Sequence, residues 1–256
     1  MAGHVAAGLH HTDSGGPGLP LVLLHGAGGT LRHWPAELRA LPGRRVIAVD
    51  LGGHGGSPPP GQRSIGAYAR SVLGLCDALG VGAAAFAGHS MGGAIALTLA
   101  LEAPARVAAL ALVGTGARLR VAQAILEATG DPERYLAFAD VSADFALAEG
   151  APPELRREFV EGWRAGQPAV THGDFAACNE FDVLARLAEI RCPVLVICGA
   201  ADRLTPLKYS EALRDRIPGA RLEKVAGAGH MVQLEAPGAV ASALGAFLSE
   251  VDSAMR

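Results

Sequence analysis

The chain has 256 residues, of which 50% are hydrophobic and 18% charged, and this composition can build one large core. Its formal net charge of −3 gives no electrostatic attraction to nucleic acid or to an anionic membrane. The four cysteines form no CxxC pair and have no histidine at ligand spacing, which argues against a zinc site or a disulfide framework.

Strands are predicted where short apolar runs end in turn residues. These runs are Leu19–Leu24, Arg45–Val49, Ala83–Ala87, Val107–Val113, Val194–Cys198 and Arg221–Val225, with a weaker strand within His4–His11. Helices are predicted between them at Ser64–Leu79, Met91–Glu102, Pro206–Arg216 and Pro237–Glu250. This alternation predicts an α/β protein with a mostly parallel sheet covered by helices on both faces.

Residues 117–190 break the alternation, because they show helical periodicity only. Prolines divide the segment into about four short helices. It contains most of the chain's aromatic residues and an excess of acidic over basic ones. We expect an insertion that lies on the sheet.

The strongest motif is GHSMGG, from Gly88 to Gly93, between an apolar strand and an apolar helix. This context is that of a nucleophile elbow, in which the chain turns sharply and the central residue adopts a strained backbone conformation. Glycine is needed at positions 88 and 92 because larger side chains would collide there. We expect Ser90 to present its hydroxyl at the carboxyl ends of the strands, beside a helix N-terminus that favours negative charge.

A serine hydroxyl needs a base to take its proton, and the base needs an acceptor that fixes its tautomer. His230 lies in a glycine-containing loop after the last predicted strand. Asp202 follows the strand Val194–Cys198, whereas the loop after Val107–Val113 has no carboxylate. We therefore predict Ser90 as nucleophile, His230 as base and Asp202 as the orienting acid.

Acyl transfer also requires two N–H donors for the developing oxyanion. One is predicted to be the amide of Met91, directly after the nucleophile. The other is assigned to Ala27, in a glycine-rich loop where we expect His25 to brace the backbone by hydrogen bonding. Asp50 and Ser57 are interpreted as structural residues that hold the following turn.

Five segments together resemble the capped α/β-hydrolase superfamily over nearly the whole chain: 25–29, 50–57, 88–93, 199–206 and 227–235. The resemblance implies a twisted sheet of about eight strands with abbreviated first antiparallel strands. It implies a core domain of residues 1–116 and 191–256, with residues 117–190 as a helical lid. It also implies that the protein uses no cofactor and no metal.

Within this superfamily the sequence is similar to the esterase, lactonase and C–C hydrolase branches. The superfamily's haloalkane dehalogenases and epoxide hydrolases have an aspartate nucleophile where this chain has Ser90, which disfavours both activities. We expect hydrolysis of a small to medium, apolar or aromatic-bearing ester or related acyl compound through an acyl-enzyme, with Trp163, Phe138 and Phe175 contacting substrate. The alternatives are acyl transfer, perhydrolysis, C–C hydrolysis or cyanohydrin lysis on the same triad, and a small-ligand receptor with vestigial hydrolysis.

The remaining expectations concern location and partners. Free thiols suit a reducing cytoplasm, and neither a signal segment nor a membrane span is predicted. We expect a small-molecule substrate, no nucleic acid or membrane partner, and a monomer or small homo-oligomer. His33, Trp34 and His54 are candidates for lining the cleft.

Overall fold

The computed structural model describes residues 2–255. Within this range, eight strands form one sheet, with the bounds β1 Gly3–Ala6, β2 Leu9–Asp13, β3 Leu21–Leu24, β4 Val46–Val49, β5 Ala84–His89, β6 Val107–Val113, β7 Val194–Gly199 and β8 Arg221–Val225. The helices are α1 Ala36–Arg39, α2 Ile65–Ala78, α3 Met91–Glu102, α4 Gln123–Thr129, α5 Pro132–Ala146, α6 Pro153–Arg164, α7 Pro168–Glu180, α8 Leu207–Arg216, α9 Val232–Glu235 and α10 Pro237–Ala254.

The sheet has the order β1-β2-β4-β3-β5-β6-β7-β8. β1 and β2 are antiparallel to their neighbours, and all other pairs are parallel. The predicted α/β fold with about eight mostly parallel strands is therefore confirmed. Because parallel strands end at the same edge, the loops after β3, β5 and β7 meet at one side of the sheet.

The weakly predicted strand at the N-terminus is in fact a hairpin of two strands. Ala7 and Gly8, with φ of 47° and 76°, form the turn between β1 and β2. Two successive residues with positive φ are typical of a two-residue hairpin turn. The other predicted strands appear within one or two residues of their expected bounds.

The strands have continuous apolar sequences because both faces of the sheet are covered. In β3, Val22 and Leu24 pack with α2, α3 and α8 on one face. Leu21 and Leu23 pack with α1 and α10 on the other face. A third apolar cluster is formed mainly by α5 and α6 and includes Met231, next to His230.

Helices α4 to α7 all lie between β6 and β7 in the sequence. The chain enters and leaves this segment side by side. Leu119 donates a backbone hydrogen bond to Phe181, and Val183 donates one to Ala117. The ends of the helical segment are thus held together beside the sheet.

Candidate active site

The turn after β5 has the strained geometry that the GHSMGG motif predicts. Ser90 has φ of 52° and ψ of −114°, a conformation that is rare for a residue with a side chain. A Cβ atom on Gly88 would overlap the Gly92 carbonyl, and one on Gly92 would overlap the Leu24 carbonyl. The glycines therefore allow the close approach that turns strand β5 directly into helix α3.

Gly93 and Thr115 brace this turn from the side of β6. A Cβ on Gly93 would lie 2.5 Å from Thr115 Cγ2, so the helix passes the loop after β6 at a distance that only glycine permits. The Thr115 hydroxyl donates to the Ser90 carbonyl at 2.7 Å. This bond holds the backbone of the strained residue.

His230 and Asp202 are brought together from loops on neighbouring strands. His230 Nδ1 lies 2.9 Å from Asp202 Oδ2, and both side chains are buried. The carboxylate also accepts the backbone amides of Leu204 and Thr205 at 2.9 and 2.8 Å, and the Thr205 hydroxyl at 2.7 Å. An acceptor at Nδ1 keeps the proton on that nitrogen and leaves Nε2 free to accept one.

The charge of Asp202 is favoured by these contacts. Burial raises the pKa of Asp202, but the neighbouring His230 and the hydrogen bonds from Thr205 outweigh burial and leave the pKa below its usual value. The carboxyl group is therefore ionised at neutral pH and can stabilise a protonated imidazole.

Ser90 and His230 border the same cavity. Within residues 2–255, His230 Nδ1 contacts Asp202 and Thr205, but no hydrogen bond joins the imidazole to the Ser90 hydroxyl. Catalytic hydrogen bonds are often long without substrate and tighten in the complex. The structure thus contains the predicted histidine–carboxylate contact, but not the serine–histidine contact.

His89, inside the elbow, supports the loop that carries His230. Its Nε2 donates to the His230 carbonyl at 3.0 Å, and the two ring centroids are 4.7 Å apart. Burial, followed by the neighbouring His230, lowers the pKa of His89 well below its usual value. His89 is therefore neutral and adds no positive charge beside His230.

The two amides predicted for the oxyanion have no acceptor in the part of the chain that the structure describes. Ala27 borders the cavity next to Ser90. Met91 is the first residue of α3, where an amide has no partner within the helix. Both N–H groups are thus available to a ligand.

The loop that carries Ala27 is fixed as predicted. His25 Nδ1 donates to the Gly26 carbonyl at 2.8 Å, and its Nε2 accepts the Leu51 amide at 3.0 Å. Asp50 accepts the amides of Leu31 and Gly56. The Ser57 hydroxyl donates to the Asp50 carbonyl at 2.6 Å. These polar residues therefore have structural partners.

The cavity walls are largely apolar. Trp163 and Phe175 line the cavity, as does Phe159, which the sequence analysis did not single out. Phe138 lies behind this wall and packs edge-on against Trp163, with ring centroids 5.3 Å apart. The further lining side chains include Leu119, Val121, Ile125, Leu204 and Met231, and the charged ones are Arg120 and Arg203.

The three cleft candidates have different positions. His33 lines the cavity. Trp34 is completely buried in the core on the α10 face of the sheet. His54 lies behind the Ala27 loop, where its Nε2 is 2.7 Å from Asp174 Oδ2.

Asp174 was missed by the sequence analysis. It is fully buried on α7 and accepts hydrogen bonds from three other elements. The available signal was weak: one acidic residue on a helix, with Phe175, Ala177 and Cys178 shortly after it in the sequence.

Among the described residues there is no cluster of side chains suited to hold a metal ion. None of the described helices is long and apolar enough to cross a membrane.

Comparison with known proteins agrees with the fold. The model of the alpha/beta hydrolase family matches residues 21–243. The chain is 32% identical to a putative carbamate hydrolase, RutD, of Caulobacter sp. strain K31, covering 94% of this chain and 96% of that protein. It is 34% identical to the dihydrolipoyllysine-residue acetyltransferase component of the acetoin cleaving system of Pseudomonas putida, covering 90% of this chain but 64% of that protein.

Solved structures give the same result. A thermophilic esterase superimposes with a TM-score of 0.84 at 33% identity, covering 98% of this chain and 97% of the esterase. The region matched by the family model, residues 21–243, includes every residue that lines the cavity. The chain therefore belongs to the alpha/beta hydrolase family and is an enzyme of that family.

Proposed function

We propose that this enzyme is a serine hydrolase that cleaves esters with a small to medium, apolar or aromatic-bearing acyl group. One observation carries the proposal: the strained Ser90 and the Asp202-bound His230 border one largely apolar cavity. The apolar wall favours an acyl group that gains free energy by leaving water.

In the first step, Ser90 Oγ attacks the ester carbonyl carbon while its proton passes to His230 Nε2. The Nδ1 proton stays hydrogen-bonded to Asp202, whose negative charge stabilises the imidazolium that forms. The carbonyl oxygen becomes an oxyanion, which accepts the amides of Ala27 and Met91.

In the second step, the tetrahedral intermediate collapses and the leaving alkoxide takes the proton from His230. Water then replaces the alcohol, and His230 Nε2 takes a proton from it as the water oxygen attacks the acyl carbon. Collapse of this second intermediate returns the proton to Ser90 Oγ and releases the carboxylic acid.

We also propose that residues 117–190 act as a lid over this cavity, with residues 1–116 and 191–256 as the core domain. Trp163 and Phe175, both in this segment, border the same cavity as Ser90 and His230. Paired backbone at its two ends supports the interpretation of this segment as one structural unit. Substrate contacts are accordingly assigned to Trp163 and Phe175, and Phe138 supports Trp163 from behind.

The test is a panel of nitrophenyl esters of increasing chain length, lactones, thioesters and carbamates, assayed with the wild type and with Ser90→Ala. We expect ester turnover by the wild type and a loss of at least about a thousandfold in Ser90→Ala, with unchanged thermal stability. A fluorophosphonate should label Ser90 stoichiometrically. Near-full esterase activity in Ser90→Ala would contradict the proposal.

A further inference from the structure

The carboxylate of Asp174 lies at the centre of a buried cluster outside the proposed triad. Its side chain has no exposed surface. Oδ1 accepts the Tyr68 hydroxyl of α2 at 2.6 Å. Oδ2 accepts the Gly28 amide at 2.9 Å and contacts His54 Nε2 at 2.7 Å. One side chain of α7 therefore binds three segments that are far apart in the sequence.

The contacts of His54 define its protonation. One ring nitrogen faces Asp174 Oδ2, and the other lies 3.1 Å from the Gly52 carbonyl. Both partners are acceptors, so both nitrogens carry a proton when both bonds are made. In that protonation state His54 and Asp174 form a buried ion pair, and losing either partner would leave an uncompensated charge.

The amide bound by Asp174 belongs to the tight turn that presents Ala27. Gly29 donates to the Gly26 carbonyl at 3.1 Å, which closes a turn from residue 26 to residue 29. Gly28 has φ of 62° at the third position, as a type II turn requires. The peptide unit between Ala27 and Gly28 can rotate in such a turn, and its N–H is the group that Asp174 holds.

Helix α7 also packs directly on this turn. A Cβ on Gly28 would lie 3.2 Å from Thr171 Cγ2, so glycine permits the close approach as well as the positive φ. On the same helix, Phe175 and Cys178 line the cavity. The helix thus touches both the substrate space and the loop beside it.

We propose that Asp174 is a positioning residue, through which helix α7 holds the Ala27–Gly28 peptide. This contact fixes the turn from residue 26 to residue 29, and with it the preceding Gly26–Ala27 peptide, whose N–H is the proposed oxyanion donor. The inference rests on the function proposed above. Asp174 touches no reacting atom. It acts by removing a rotational freedom from the turn, so that the Ala27 donor is oriented before the substrate arrives.

The test compares Asp174→Asn with Tyr68→Phe. Asp174→Asn keeps the shape of the side chain but removes its charge. Its one oxygen can accept from Gly28 and His54 only through weaker hydrogen bonds, and its NH₂ group then faces the Tyr68 hydroxyl. Tyr68→Phe removes one hydrogen bond from the same carboxylate and leaves the Gly28 contact in place. For both variants we would measure kcat and KM with a nitrophenyl ester, the melting temperature, and amide-proton exchange at Gly28 by NMR.

In Asp174→Asn we expect kcat to fall about tenfold or more, KM to change less than about threefold, and Gly28 exchange to accelerate. In Tyr68→Phe we expect a lower melting temperature with a kcat loss below about threefold. Equal kcat losses in the two variants, or an unchanged kcat in Asp174→Asn, would overturn the proposal and leave Asp174 a purely structural residue.

If Asp174→Asn does not fold, the wild type still provides a test, because its Gly28 amide should be protected from exchange. Exchange of the Gly28 amide at the rate of an unstructured peptide would refute the proposal that Asp174 holds this turn. Failure of the proposed function has a different signature: no ester turnover and no fluorophosphonate label in the wild type. The exchange data, which need no substrate, would then still decide whether Asp174 holds the turn.

Discussion

Replacing Asp202 with asparagine tests the role of the His230–Asp202 contact most directly. Asparagine Oδ1 can keep the backbone amides of Leu204 and Thr205, which now bind Asp202 Oδ1 at 2.9 and 2.8 Å. The side-chain NH₂ then replaces Oδ2 and faces His230 Nδ1 across 2.9 Å. Because an NH₂ group donates, the imidazole proton moves to Nε2, and the nitrogen that should accept the serine proton is blocked.

The expected loss follows from this change of tautomer. Where an acid of this kind is replaced by its amide with the geometry intact, kcat falls by about 10⁴. We therefore expect kcat of Asp202→Asn to fall by about 10³ to 10⁴, which corresponds to a rise of about 4–5.5 kcal/mol in the activation free energy. The fold should persist, because the Thr205 hydroxyl can accept from the new NH₂ instead of donating to the carboxylate.

The assay is kcat/KM for a nitrophenyl ester together with the rate of fluorophosphonate labelling. Thr205→Val is the matched control: it removes the hydroxyl bond to Asp202 at 2.7 Å but keeps the carboxylate and the histidine contact. We expect kcat/KM of this control to fall by less than about tenfold. An Asp202→Asn enzyme within tenfold of the wild type, with its fold intact, would refute the tautomer argument.

Three further predictions concern the elbow, the buried ion pair and the cavity wall. Gly88→Ala places a Cβ against the Gly92 carbonyl and should cost more than about 3 kcal/mol in the free energy of unfolding, measured with urea. Gly74→Ala, in helix α2 with open space around its Cβ, should instead gain about 0.5–1 kcal/mol. Burial works to lower the pKa of His54, but Asp174 outweighs it and raises the pKa above the usual 6.5. The stabilisation by this pair should thus be complete below pH 6.5 and lost as the pH rises through the higher value. The difference in melting temperature between the wild type and His54→Gln should therefore shrink with increasing pH, and a difference independent of pH would contradict it. Trp163→Ala should raise KM for aromatic acyl esters at least about tenfold and leave acetate esters within about threefold. A uniform rise in KM would contradict a role for Trp163 in acyl selection.

The parts of the molecule that depend on local sequence could be predicted. The elbow is specified by steric requirements within six consecutive residues, and the clashes at Gly88 and Gly92 agree with them. The strands were predictable because each is an apolar run between turn residues. The N-terminal hairpin was predicted as one weak strand, not as two. Gly8 interrupts a short apolar segment, and a two-residue turn leaves little trace in the sequence pattern.

Contacts between distant segments could be predicted only where chemistry demanded a partner. A serine nucleophile requires a base and an acid, so His230 and Asp202 could be sought in the loops after β8 and β7. No such requirement could identify which aromatic residues of segment 117–190 face the cavity. Phe138 and Phe159 are both buried, but helical periodicity does not show which one lies behind Trp163 and which one lines the cavity.

Asp174 marks the limit of sequence reasoning most clearly. It is 146 positions from Gly28, 120 from His54 and 106 from Tyr68, and no local rule relates these residues. A buried carboxylate is costly unless its hydrogen bonds are complete, so its three donors had to be assembled together with it. The helical segment between β6 and β7 is therefore bound to the core by a polar cluster as well as by apolar packing. Changes in α7 should then alter turnover through the Ala27 loop even where they leave the cavity wall untouched.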